Sequence, residues 1–210
     1  MKRDWVAFFL GEGLQKRGAF GDARGFTLVE LAIVLVIIGL ILGMVLKGQE
    51  LINDAKMKRT YNEVREVTAA IYTYYDKYGK YPGDDNTAAA RWAGAANGNA
   101  NGLIDGGINF ACTGNGTETC ALWQDLRLAN ILTGSGVTNP SNPYGGNVGV
   151  GYATEAGLAT NWIAIQNVPY DVCQMLDQNY DDGAYNTGSI VGSGNYNTAT
   201  SGVFTIYFRL

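Results

Sequence analysis

Histidine is absent from all 210 residues. Its absence removes the commonest general base and the commonest metal ligand together. No Gly-x-Ser-x-Gly turn is present either, so nucleophilic catalysis has no candidate constellation. Charge is sparse, at 16 % of residues, and unevenly placed: five Lys/Arg stand against three Asp/Glu before residue 26, and ten against sixteen from residue 26 onward, a balance of −6. The body therefore lacks the basic stripe that phosphate binding needs, which argues against a nucleic-acid partner. A basic start ahead of an acidic body instead fits an N-terminus held on the cytoplasmic side of a membrane. Proline occurs only four times and never between Phe26 and Tyr81, so nothing in that interval breaks a helix.

What is abundant is glycine, 29 residues, about twice the usual share of roughly 7 %. With Asn and Thr it clusters after residue 83, where long surface loops are expected. The three cysteines, Cys112, Cys120 and Cys173, all follow the apolar run described next, in the part that faces an oxidising compartment if exported. Three pairings are possible; Cys112 with Cys120, seven residues between them, is the first choice, leaving Cys173 buried in a helical-looking VCQMLDQ.

From Phe26 to Leu46 the chain reads FTLVELAIVLVIIGLILGMVL, with Glu30 its only charge. As a helix at about 1.5 Å per residue it is roughly 30 Å long, the thickness of a bilayer core. A secretory signal peptide has a shorter apolar region and an Ala-x-Ala-type cleavage site, neither of which is found here. A plain single-span anchor does not account for Glu30, because a carboxylate in such a segment is costly and marks a function with a partner.

Gly25-Phe26-Thr27-Leu28-Val29-Glu30, set directly against the apolar run, resembles the cleavage and methylation motif of the type IV pilin and pseudopilin family. The resemblance implies a prepilin peptidase that cuts between Gly25 and Phe26, N-methylation of Phe26, and assembly through Glu30, whose carboxylate neutralises the Phe26 amine of a neighbouring subunit. Gly39 and Gly43 form a small-xxx-small pair that either permits close helix approach, joining the assembly set, or is merely a flexible spot in the helix. The chain departs from many relatives in having Lys47 and Gly48 where they carry a proline. Its 25-residue leader is long and holds its own apolar patch, Trp5 to Leu10, which either a long leader or a start assigned too far upstream explains.

Past Leu46 the pattern becomes amphipathic: Val64, Val67, Ile71, Tyr74 and Tyr78 recur at intervals of 3 and 4. Gly79, Pro82 and Gly83 then form a stop signal. One helix of about 53 residues is predicted. Its tyrosines stand at helical spacing and read as core or interface residues. Strands are expected at Asn161–Val168 and Val203–Arg209. The stretches YPGDDNTAAARW, CALWQDLRLANIL and VCQMLDQNYDDGAYNTG resemble, more loosely, the heads of bacterial prepilin-like proteins. The fold class expected is α+β, type IV pilin-like, with one long N-terminal helix on a small antiparallel sheet. Its divisions are a leader (1–25), the transmembrane and assembly half of the helix (26–46), its amphipathic half (47–79) and a periplasmic or extracellular head (80–210).

Within the head, Asn97, Asn99, Asn101, Gly102, Ile104 and Asp105 take the first nine places of an EF-hand-like Ca²⁺ loop. Amides replace its carboxylates, and the twelfth place is Ile108. Calcium is thus one reading of the loop, with charge lent by Asp84 and Asp85 or by Asp181 and Asp182; a loop that merely tolerates left-handed backbone is the other. The paired aspartates also raise a glycosidase reading. Lying in Gly-rich turns, they are expected to be exposed and free to swing, which disfavours it.

The leading expectation is a non-enzymatic filament subunit. Its partners are copies of itself in a homopolymeric or mixed filament, the prepilin peptidase, an inner-membrane assembly platform, and the membrane before assembly. A pseudopilin of type II secretion is the alternative within the class, and a membrane-anchored binding module that never assembles is the alternative outside it.

Overall fold

The computed structural model describes residues 25–210; the leader lies outside the described residues. By its internal contacts the chain divides into two units, one ending at Lys47 and the other running Gly48–Leu210.

Helix α1 (Leu28–Tyr78) is continuous over 51 residues, as the absence of proline allows. Glu30 in its first turn and Lys77 in its last complement the helix dipole. It stops where Gly79 turns left-handed, at φ +72°, while the Gly79 N–H donates to the Tyr75 carbonyl at 2.7 Å. In the second unit Met57, Thr60, Val64, Val67, Ile71 and Tyr74 are buried. Spaced by 3 and 4, they form the single apolar stripe that the sequence pattern implies.

Two short helices of the head, α2 (Ala88–Arg91) and α3 (Glu118–Leu128), precede the sheet. Strands β1 (Val148–Glu155), β2 (Leu158–Pro169), β3 (Ile190–Gly192) and β4 (Val203–Arg209) make one antiparallel sheet of order β1-β2-β4-β3, and α4 (Tyr170–Tyr180) follows β2. Ala156 and Gly157, both at positive φ, close the β1–β2 hairpin as the right-handed twist of its strands requires. Asn161 to Ile165 in β2 are buried without alternation, because the strand is central and covered on both faces. The core unites the α1 stripe with Leu122 and Leu126 of α3, Leu176 of α4, and Ile163, Ile165 and Ile206 of the sheet.

Cys112 and Cys120 are disulfide-bonded, tying the loop before α3 to its first turn, and Cys173 is a buried free thiol in α4. Burial and the neighbouring Asp171 carboxylate push the Cys173 thiol up to about 12.

Candidate functional site

The N-terminal segment has an unusual combination of order and exposure. Every residue from Gly25 to Leu46 is exposed, and its sixteen large apolar side chains are between 47 % (Ile38) and 84 % (Leu28) accessible. Fully burying one such side chain is worth roughly 1.5–3 kcal/mol. A surface of this size is stable only against lipid or other helices. The most apolar stretch reaches a mean hydropathy of 3.0, and α1 is long enough to cross a membrane. A Cβ added at Gly39 or Gly43 would meet nothing within 4 Å, so neither glycine is required for packing inside the molecule.

At the start of this segment Thr27 and Glu30 cap the helix reciprocally. The Thr27 N–H and hydroxyl donate to Glu30 Oε2 at 2.8 and 2.9 Å, and the Glu30 N–H donates to Thr27 Oγ1 at 3.2 Å. The Thr27 carbonyl accepts the first helical bond, from Leu31. This is a capping box, and the Thr-x-x-Glu spacing before an apolar run carries its signal in the sequence. It gives Glu30 a local role beside the inter-subunit one that the motif implies.

In the head, the loop 97–105 is arranged differently from an open cation cage. Asn97 Oδ1 accepts the Ala89 N–H at 2.9 Å and so turns toward α2. The Asn99 and Asn101 amide nitrogens both donate to Asp105 Oδ2, at 2.8 and 2.9 Å, while their oxygens accept the backbone N–H groups of Asn101 and Leu103. Two amide donors thus take up the Asp105 carboxylate. Ile108 at the twelfth place brings no oxygen.

The acidic group that reaches the loop is Glu118, at the start of α3, which accepts the N–H groups of Asn99 and Asp105 at 2.9 and 2.8 Å. No spacing rule points to it from the sequence, because it stands on another element. Burial, with the Asp84 and Asp105 charges adding to it, raises its carboxyl above the usual range. Together with Asn97, Asn99, Asp105 and Thr117 it lines an open hollow of about 400 Å³.

The expectation of exposed, swinging aspartates is corrected for Asp84 and Asp85, which are 1 % and 0 % accessible. Asp84 accepts the N–H groups of Asn101 and Gly102 at 3.0 and 2.8 Å, so it does join the loop. Asp85 does not. It accepts the Tyr74 hydroxyl at 2.8 Å and the Thr87 N–H and hydroxyl, and it pairs with Arg91. Asp181 and Asp182 also stand elsewhere, their carboxylates clustered with that of Asp177. Each of the three is held by backbone or hydroxyl donors: Gly183 and Tyr196 on Asp177, Ser189 and Ile190 on Asp181, Ala184 and Thr187 on Asp182. These carboxylates knot turns together, and none is aligned with another as an acid and a nucleophile.

The family model for the prokaryotic N-terminal methylation motif matches residues 21–46. This chain has a type IV pilin-like N-terminus. Among curated proteins, the pilin-like chain is similar to the fimbrial protein EcpC of Eikenella corrodens, 36 % identical over 76 residues. That stretch is 36 % of this chain and 48 % of the relative, so the pilin-like chain spans about half the length of the curated relative it matches. No solved structure matches it. Pilin-type proteins are structural and not known as enzymes.

Proposed function

We propose that this chain is the precursor of a structural subunit of a type IV pilus-like filament. The prepilin peptidase cuts it between Gly25 and Phe26 and methylates the new Phe26 amine, and the mature chain of 185 residues polymerises through the first half of α1. The observation that carries this reading is the union of a methylation motif at residues 21–46 with a helix start whose apolar side chains are all exposed. Before assembly a bilayer covers that surface, with the head on the periplasmic side; afterwards neighbouring copies cover it, and an inner-membrane platform drives the exchange. Glu30 supplies the carboxylate for a neighbour's Phe26 amine, and Gly39 and Gly43 let the helices come close. The printed name of the relative, a fimbrial protein, favours an extracellular pilus over a secretion pseudopilus.

Mass spectrometry of protein sheared from cells tests the reading. The expected species starts at N-methyl-Phe26 and is recovered in filaments visible by electron microscopy. Cleavage anywhere inside residues 40–60, or recovery only as uncleaved membrane protein, overturns it.

A further inference from the structure

The head buries a carboxylate that nothing in the assembly reading uses. Asp125, on α3, is 0 % accessible. Its Oδ2 accepts the Gly83 N–H at 2.8 Å, and its Oδ1 has no partner. Around it stand the Tyr74 hydroxyl of α1 and the Arg91 guanidinium of α2. Neither is available to Oδ1: Tyr74 donates to Asp85, Arg91 pairs with Asp85, and Lys80 lies 3.9 Å from that same carboxylate. Asp85 therefore absorbs the cations and the phenol, and Asp125 is left with one backbone donor for two oxygens. A buried ionised carboxylate in that condition is costly, and its protonated form costs less.

The position of the bond gives this chemistry a consequence. Gly83, at φ +84°, packs so closely on α3 that a Cβ there would lie 2.2 Å from the Glu118 carbonyl oxygen. Its neighbour Asp84 is the residue that holds Asn101 and Gly102, and Gly98 in turn packs on the backbone of Gly83 and Asp84. The Asp125–Gly83 bond thus fastens to α3 the turn that carries Asp84, and through Asp84 it steadies the 100–102 stretch of the loop, while Glu118 and Thr119 hold Asn99 and Asp105 separately.

We propose that Asp125 is a proton-controlled fastener: protonated, it locks the Gly83–Asp84 turn, with the 100–102 stretch that Asp84 holds, onto α3, and ionised, it releases them to open locally. Burial pushes the Asp125 carboxyl up to about 6, with the Gly83 N–H and the Arg91 charge opposing that rise. The folded value is raised, so the protection is complete below the unfolded value near 4 and is lost as pH rises through about 6. Acidification from pH 7.5 to 5 is then worth about tenfold in the closed-to-open ratio.

Amide hydrogen exchange of the full chain in detergent micelles reads this directly, after correction for the intrinsic pH dependence of exchange. The Gly83, Asn101 and Gly102 amides are expected to gain about tenfold protection together between pH 7.5 and 5. In Asp125→Asn, which stays neutral throughout, the step is expected to vanish, while Glu118→Gln retains it. Should Asp125→Asn not fold, the carboxyl carbon of Asp125 in the unaltered chain is expected to titrate with the same midpoint as the Gly83 amide. pH-independent protection in the unaltered chain, an unchanged step in Asp125→Asn, or a midpoint below 5 overturns the proposal.

Discussion

The Glu30 side chain closes back on Thr27, accepting both its N–H and its hydroxyl within 2.9 Å. Glu30 is therefore a helix cap before it is anything else, and the two roles separate by substitution. Gln at the same place keeps the reciprocal cap but removes the charge, since Glu and Gln both serve in a capping box. Glu30→Gln is expected to be processed and inserted normally. In a filament core it leaves a neighbour's Phe26 amine buried without a counter-ion, at a cost on the order of 3–5 kcal/mol per subunit. Electron microscopy should then show no filaments, with mature subunit accumulating in the membrane. Filaments of normal number and length in that variant would end the amine–carboxylate mechanism. Glu30→Ala additionally loses the return half of the box, while Thr27 Oγ1 still accepts the backbone N–H of residue 30.

On the proposed reading, processing depends on the missing side chain at Gly25, before the scissile bond. Gly25 is exposed, and a Cβ added to it meets nothing within 4 Å, so Gly25→Val leaves this fold undisturbed. On the proposed reading it blocks cleavage by crowding the peptidase. Immunoblots should show only uncleaved precursor; efficient conversion to the shorter mature form would refute the assigned site.

The disulfide closes a small loop, with sequence separation 8 between Cys112 and Cys120. Chain entropy alone gives such a loop about 2–3 kcal/mol. Cys112→Ser with Cys120→Ser is expected to lower the unfolding free energy, read from denaturant titrations, by that amount, and non-reducing peptide maps of the unaltered chain should join these two cysteines. Cys173 should alkylate only after unfolding, its thiol being buried and pushed up to about 12.

Mild acid is expected to stabilise the head. The Asp125 carboxyl is raised to about 6, so its contribution is present in full below the unfolded value and fades as pH rises through 6; Glu118, also raised, acts in the same direction. For Asp125 alone the change between pH 5 and 7.5 is about 1.4 kcal/mol, or roughly 3–6 °C in a head of this size. Thermal melts followed by tryptophan fluorescence at the two pH values measure it; equal midpoints, or a higher one at pH 7.5, would contradict the assignment.

Gly98→Ala probes the crossing of two loops. The added Cβ would lie 2.3 Å from the Gly83 carbonyl oxygen and 2.4 Å from the Asp84 Cα, all rigid backbone. The 97–105 loop has to lift from the 83–84 turn, so faster exchange at Asn101 and Gly102 is expected along with a loss of about 1–3 kcal/mol. Wild-type exchange rates would show that the crossing is not as tight as described.

Legibility in the sequence followed the reach of the interactions. α1 was readable because its causes are local: no proline, an apolar run, a 3–4 stripe and a glycine stop. The terminal strand was readable because Phe204, Ile206 and Phe208 alternate. β1 was not, for a physical reason: Gly149 and Gly151 suggest a loop, yet they are glycine because the chain at Gly107–Phe110 crosses the strand, and a Cβ on Gly151 would lie 2.1 Å from the Gly107 carbonyl oxygen. Composition and packing disagree there, and packing prevails. The same holds for Asp84, whose donors Asn101 and Gly102 are 17 and 18 residues away. Turn chemistry alone predicts exposure for such a residue, and only the folded chain supplies its partners. In the 97–105 loop the spacing of oxygen-bearing side chains was visible, but not which atom of each amide faces inward.

Both edges of the sheet are already occupied. On β1 the Val148 N–H donates to the Pro140 carbonyl and the Tyr152 N–H to that of Ile104, while the Val148 and Val150 carbonyls accept Asn139 and Thr119. On β3 the Ile190 N–H goes to Asp181 and that of Gly192 to the Tyr185 carbonyl. Open edges are templates for unplanned pairing, and a filament or a crowded bilayer brings like heads together at very high local concentration. With several of the outward donors and acceptors along each rim already taken, these heads offer little open edge for pairing when crowded together. On the proposed reading, contacts between subunits then fall to their helices, and a misplaced subunit has little sheet edge with which to seed an aggregate.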